Sequence, residues 1–265
     1  INQINWTVDT TLLGIISGTA ATAIYGVGSQ INQYYMALST SISGVFTPQI
    51  NRIVARGEGD EQLTKLFTRV GRIQFMLLML VLTGFVFVGE PFICAWGGEE
   101  YGAAYWIALL LIAPVTVPLI QNIGIEIQRA KNMHQFRSKV YFCMAIGNAL
   151  VSIPLGMKFG GIGCALGTAI SMVVGNGFIM NWYYQTHIGL DMRYFWKHIL
   201  SIVPAMLPAV ALGIIAVRLH TFTGYAGVVT FAVPYAAVYA VGLYLFAMDE
   251  SEKNMVRGVM RKIRR

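Results

Sequence analysis

Apolar residues run in long unbroken blocks along this chain, separated by short polar stretches. About eight blocks stand out, at 1–17, 23–49, 72–94, 103–128, 139–157, 161–184, 199–218 and 225–248. A helix needs about 20 apolar residues to cross a hydrocarbon core about 30 Å thick, and every block but the first meets or nearly meets that length. The blocks are continuous rather than alternating, which predicts helices and argues against the ten-residue strands of a membrane barrel. The pattern predicts an all-α, polytopic membrane helical bundle of about eight spans. The first block is interrupted by Asn2, Gln3, Asn5 and Asp9. It reads as the second part of a truncated helix, in a chain that starts partway through a longer protein.

Composition agrees with this pattern. Hydrophobic residues make up 56% and charged residues 12%, where a soluble domain carries about 25% charged residues. Mean hydropathy is +0.60. A soluble enzyme, a disordered chain and a disulfide-rich secreted module are excluded. The net charge is +7. Arg52 to Arg72, Arg129 to Lys139, Arg193 and Lys197, and the tail from Lys253 hold every Lys and Arg except Lys158 and Arg218. These loops alternate along the chain, so the positive-inside rule places them and the C-terminus in the cytoplasm. The charge is then a topology signal and calls for no nucleic-acid partner. Trp96, Trp106, Trp182 and Trp196 fall at span ends, where indole rings anchor at headgroup level. Cys94, Cys143 and Cys164 fit no metal spacing and read as small buried hydrophobes.

Two stretches outside the spans are amphipathic. Leu63, Leu66, Phe67 and Val70 share one face of a short helix, which predicts an interfacial segment leading into the next span. Met255, Val256, Val259, Met260 and Ile263 share one side of the basic tail, predicting contact with an anionic inner leaflet.

Enzyme motifs are absent: the sequence has no GxxxxGKS/T, GxSxG, HExxH or GxGxxG. No metal site and no cofactor is expected. Polar residues inside the spans carry the functional information. A carboxylate at mid-membrane costs about 2.5–3.5 kcal/mol on insertion scales. Asp9 therefore either binds a coupling ion in a cavity or caps a helix end near the interface. Gln30, Asn32 and Gln33 make the second block too polar to face lipid all round, so it packs through hydrogen bonds or lines water. Gln121, Asn122 and Glu126 end the fourth block. Glu126 stands three residues before Arg129, a spacing that allows pairing. Pro114 and Pro118 predict a kinked or broken helix there. Gly163 and Gly167 form a GxxxG pair suited to close helix approach.

Several stretches together resemble a known family. "VDTTLLGIISGTAATAIYGVGSQI", "FTPQINRIVARGEGDEQLTKLFTRV", "GGEEYGAAYWIALLLI" and "FGGIGCALGTAIS" follow one another in an order similar to the second half of the polysaccharide flippases. That family belongs to the multidrug/oligosaccharidyl-lipid/polysaccharide exporter superfamily. The resemblance implies a C-terminal six-helix lobe at 1–184, two additional helices at 185–248 and a cytoplasmic tail at 249–265. It implies that lobe rocking gives alternating access. The implied substrate is an undecaprenyl-pyrophosphate-linked oligosaccharide, moved across the bacterial cytoplasmic membrane for surface polysaccharide assembly beside a glycan polymerase and glycosyltransferases. The sequence departs from a cation-lined cavity, since the spans hold no central Arg or Lys. Arg52 and Arg129, at the basic ends, are the pyrophosphate candidates. A cation-coupled multidrug antiporter of the same superfamily, using Asp9 or Glu126, is the competing reading. A non-transporting membrane partner in glycan assembly is the third.

Overall fold

The computed structural model describes residues 13, 14, 18–250, 252–254, 257 and 258. Asp9 and the tail residues Met255, Val256, Val259, Met260 and Ile263 lie outside them. The described residues are helical almost throughout, without a strand. The helices are α1 (Gly18–Arg56), α2 (Asp60–Gly97), α3 (Ala104–Ile120), α4 (Ile123–Ala130) and α5 (Gln135–Met172). After them come α6 (Met180–Tyr183), α7 (Met192–Leu200), α8 (Val203–Leu219) and α9 (Gly224–Phe246). Two π-helical turns, Val173–Ile179 and Tyr184–Ile188, flank α6.

Among the described residues four stretches are long and apolar enough to cross a membrane: Asp60–Gly97, Gln135–Ile188, Met192–Leu219 and Gly224–Phe246. The pair α3 and α4, bent by 42°, makes a fifth if it is one span. The fold is the all-α membrane bundle that the hydropathy predicts. α1 is long enough to cross but is too polar to stand with these stretches.

The stretch Gln135–Ile188 is not one rod. Gly160 has φ 59° and ψ −136°, a conformation open to glycine and strained for other residues. Contacts pair up on either side of it. Ser152 Oγ donates to the Cys164 carbonyl (3.4 Å), Tyr141 Oη to Asn176 Oδ1 (2.9 Å), and Arg137 Nη1 to Tyr184 Oη (3.0 Å). The two legs, residues 135–159 and 161–188, are therefore antiparallel and turn at one glycine. They correspond to the apolar blocks at 139–157 and 161–184. A Cβ at Gly163 would collide with the Leu155 carbonyl, and one at Gly167 with the Ser152 side chain. The GxxxG pair is the packing surface of this hairpin.

α2 lies between α1 and α3 on one side and α8 and α9 on the other. Ser39 of α1 and Gln74 of α2 are hydrogen-bonded. Phe87 of α2 meets Phe231 and Tyr235 of α9, each at 5.8 Å between ring centroids, and Tyr239 Oη donates to the Met76 carbonyl (2.8 Å).

The end that gathers the basic loops is built from protein contacts. Leu63, Leu66, Phe67 and Val70 are buried, with the Phe67 ring tilted against those of Tyr184 (5.7 Å) and Phe195 of α7 (4.7 Å). The amphipathic face expected at the lipid interface is thus covered by protein, because α7 supplies a matching apolar face. Asp191 caps α7 by accepting from the Arg193 and Tyr194 amides (3.0 and 2.9 Å). Met192, Phe195 and Ile199 then point inward and Arg193, Lys197 and His198 outward. Of the cysteines only Cys164 is buried. Cys143 is exposed on an apolar face, against expectation.

At the same end Arg72 is buried and ion-paired with Glu252 (2.8 Å). Its guanidinium also donates to the carbonyls of His198 (2.9 Å) and Ala247 (2.7 Å). One arginine thus ties the start of the α2 span to the end of α7 and to the chain beyond α9.

Two tests follow from these contacts. Gly163→Val should force the hairpin legs apart, costing about 1–3 kcal/mol by overpacking, whereas Gly147→Ala, with open space around it, should melt near wild type. Thermal unfolding in detergent separates them. Arg72→Met or Glu252→Met alone should cost about 3–5 kcal/mol by stranding a buried charge, while the double variant should recover much of that loss. A double-mutant cycle on unfolding free energies measures the recovery.

Candidate functional site

Outward-facing side chains on most of this bundle are apolar. Phe142, Leu150, Phe178, Leu207, Val233 and Leu245 are 59–69% exposed, as a surface meeting lipid tails must be. α1 departs from this pattern. Its inward stripe, Tyr25, Ser29, Asn32, Tyr35, Ser39, Ser43, Ile50 and Ile53, is buried at helical spacing. Its outward stripe carries Gln30, Gln33, Tyr34, Thr40, Ser41, Asn51 and Arg52, all exposed. At about 100° per residue these fall within a sector of roughly 120°. Between them the sector holds Ala23, Gly26, Ala37, Gly44 and Pro48, with the exposed Val45 at its edge. Gln30 Nε2 donates to Tyr34 Oη (3.0 Å) along the face. The helix contains no Asp or Glu.

A polar layer runs through the bundle behind this face. It starts where α3 gives way to α4. Proline at 118 has no backbone N–H to donate, and α3 ends at Ile120. Backbone turn bonds cross the break, and side chains add to them. Ser39 Oγ donates to the Leu119 carbonyl (2.8 Å), and Asn122 Nδ2 to Ser43 Oγ (3.2 Å). Gln74 Nε2 from α2 lies within bonding distance of Ser39 Oγ (2.9 Å) and Ser43 Oγ (2.7 Å). On the far side Gln121 Nε2 donates to Asn181 Oδ1 (3.0 Å), which also accepts from Trp196 Nε1 (2.8 Å). Asn181 Nδ2 closes onto the Asn176 carbonyl in the π-helical turn (2.7 Å). Five segments are cross-linked at one level.

The residues singled out in the sequence therefore separate. Gln30 and Gln33 share the open face. Asn32 points the opposite way, wholly buried, and neither amide atom has a hydrogen-bond partner among the described residues. Gln121 is buried in the polar layer and Asn122 half-buried at its edge. Glu126 and Arg129 pair at 2.8 Å, as their spacing allows, so the Arg129 charge already has a partner. Arg52 stands exposed at the basic end of the open face. Trp196 spends its N–H inside the bundle rather than at the headgroup level expected of it. Gln74, Asn176 and Asn181 join the layer without being among the residues that the sequence singles out. Only Gln74, a lone amide within an apolar block, carries a sequence signal for it.

No family model and no solved structure matches the chain. Over 174 residues, 64% of the chain, it is 26% identical to the probable flippase AglR of Haloferax volcanii. That match takes in 36% of the relative, so the chain spans about a third of its length.

The buried Asn32 amide yields a test. Replacing an unpaired buried polar group by an apolar one of similar size removes a desolvation penalty of about 1–3 kcal/mol. Asn32→Leu should raise the melting temperature of the protein in detergent. A lowered melting temperature would show that the amide is bonded in solution.

Proposed function

We propose that this chain is the C-terminal part of a flippase that carries a lipid-linked oligosaccharide across a membrane for glycan assembly. The observation that carries the reading is the open polar face of α1 on a bundle that is otherwise apolar outside. Amides and hydroxyls at membrane depth need protein or water against them. A face of glutamine, tyrosine, threonine and serine offers the mixed donors and acceptors that sugar hydroxyls require. The apolar exterior beside it suits a lipid tail that never leaves the hydrocarbon. The likeness to a probable flippase supports the same reading.

In finer terms, residues 1–184 form a transporter lobe whose α1 face meets the glycan, and 185–248 are two additional helices. Residues 249–265 form a basic tail. Gln30 and Gln33 contact sugar, Arg52 and Asn122 lie toward the phosphate end, and Asp9 is the candidate for ion coupling. Alternating access would come from rocking this lobe against a second one. The fullest form of the reading has an undecaprenyl-pyrophosphate carrier and a bacterial cytoplasmic membrane, with the basic loops and C-terminus inside. The antiporter reading needs a carboxylate on the open face. α1 has none and Glu126 is paired, so that reading rests on Asp9.

The full-length protein should be expressed in cells blocked in glycan-lipid flipping, with lipid-linked oligosaccharide measured at the outer face. Wild type should restore accessibility, and Gln30→Leu with Gln33→Leu should lower flux about tenfold at equal expression, roughly the loss of one or two hydrogen bonds to substrate. No restoration by inserted wild type, with a matching glycan, would overturn the reading. Asp9→Asn should impair flux if Asp9 couples an ion, and normal flux would reject that role.

A further inference from the structure

Arg137 stands in the first turn of α5 and belongs by sequence to a basic loop. The structure places it elsewhere. Its side chain folds inward along the hairpin, with the guanidinium carbon 4.8 Å from the centre of the Tyr141 ring. Nη1 donates to Tyr184 Oη (3.0 Å) and Nη2 to Tyr141 Oη (2.5 Å). Tyr141 passes its own proton on to Asn176 Oδ1 (2.9 Å). Both phenols are buried. Among the described residues no carboxylate lies within ion-pair distance of Arg137. Arg129 pairs with Glu126, Lys131 with Asp60 and Arg72 with Glu252, and Lys139 and Arg52 are exposed to solvent, whereas Arg137 is drawn inward.

This cation also borders a cavity of about 40 Å³, shared with Met36 of α1, Leu119 and Asn122 at the helix break, Tyr141 and Met172. A water needs about 10–15 Å³ by this measure, so there is room for roughly three waters, whose share of liquid volume of about 90 Å³ would hold one phosphate group. A guanidinium has five N–H donors in a fixed fork. Two are spent on phenols, which carry no charge to offset it. A partly buried cation without a counter-charge is costly unless an anion joins it. The fork matches phosphate oxygens, and the unpaired N–H groups of the first turn of α5 add to the positive field. The Asn122 side chain offers a neutral polar contact on the opposite wall.

We propose that Arg137, framed by Tyr141 and Tyr184, is an anion-binding site for a phosphate-class group, reached through the cavity between α1, the α3–α4 break and α5. Its physiological ligand rests on the flippase reading: the phosphate of a lipid-linked glycan. A soluble phosphate has the same chemistry, and the two sources are told apart by separate probes.

The full-length protein in detergent is titrated with inorganic pyrophosphate by calorimetry. Retention of phosphatidic acid from mixed phosphatidylcholine nanodiscs is counted by native mass spectrometry. Arg137→Gln should weaken binding at least tenfold, about the share of a charged hydrogen bond. Arg137→Lys should retain part of it, as a charge without the fork. Met36→Trp should plug the cavity and lose binding with the arginine intact, and carries the test if Arg137→Gln fails to fold. Lys158→Gln, at the far end of the hairpin, should bind as wild type does. Binding of phosphatidic acid alone assigns the site to a lipid headgroup, and binding of pyrophosphate alone to a soluble anion. Equal affinities in wild type and Arg137→Gln, full binding by Met36→Trp, or no binding of either probe by wild type would overturn the site. Glycan flux without anion binding would sink the site and leave the flippase reading intact, whereas anion binding without flux would do the reverse.

Discussion

Hydrocarbon offers no hydrogen bonds, so every polar group at membrane depth must find its partner in protein or in water. That constraint orders this bundle. Gln74, Ser39, Ser43 and Asn122 bond one another and the Leu119 carbonyl at the α3–α4 break, and Gln121 bonds Asn181 beside it. The broken helix is tolerable because these side chains surround it. Where polar side chains have no such partners, as on the outward stripe of α1, water, a substrate or another piece of protein must meet them.

Much of the fold was legible because membrane helices announce themselves through length and hydropathy. The glycine run at 160–167 and the prolines at 114 and 118 also carried local meaning that survived folding. One glycine turns a hairpin, and the helix that carries both prolines stops two residues after the second. The site was harder to read. Gln30, Asn32 and Gln33 look alike in composition, yet two point outward and one inward, and only the packing of α1 on α2 and α3 decides which. Arg137 reads as one more loop cation. Its burial depends on Tyr184, nearly fifty residues later, being brought alongside by the hairpin and its π-helical turns.

The amphipathic stretch at Leu63 to Val70 shows a related limit. A helix with one apolar face can lie on lipid or on protein, and periodicity is the same in both cases. Here the partner is α7, nine residues long and too short to stand out in a hydropathy profile. The decision lay in the Phe67 ring meeting those of Tyr184 and Phe195, a contact across more than a hundred residues of chain.

The hairpin also carries its own ruler. Its first leg runs from Lys139, exposed at the basic end, to Lys158 beside the Gly160 turn. At 1.5 Å per residue the two ammonium-bearing positions are about 28 Å apart along the helix axis, close to the thickness of a hydrocarbon core. Met157, Phe159 and Ile162 around the turn are exposed and apolar, so the tip favours lipid over water. Lysine stems reach outward to the headgroups. In a bilayer, a cation at each end would hold the hairpin at one depth, with its turn level with the surface instead of projecting beyond it.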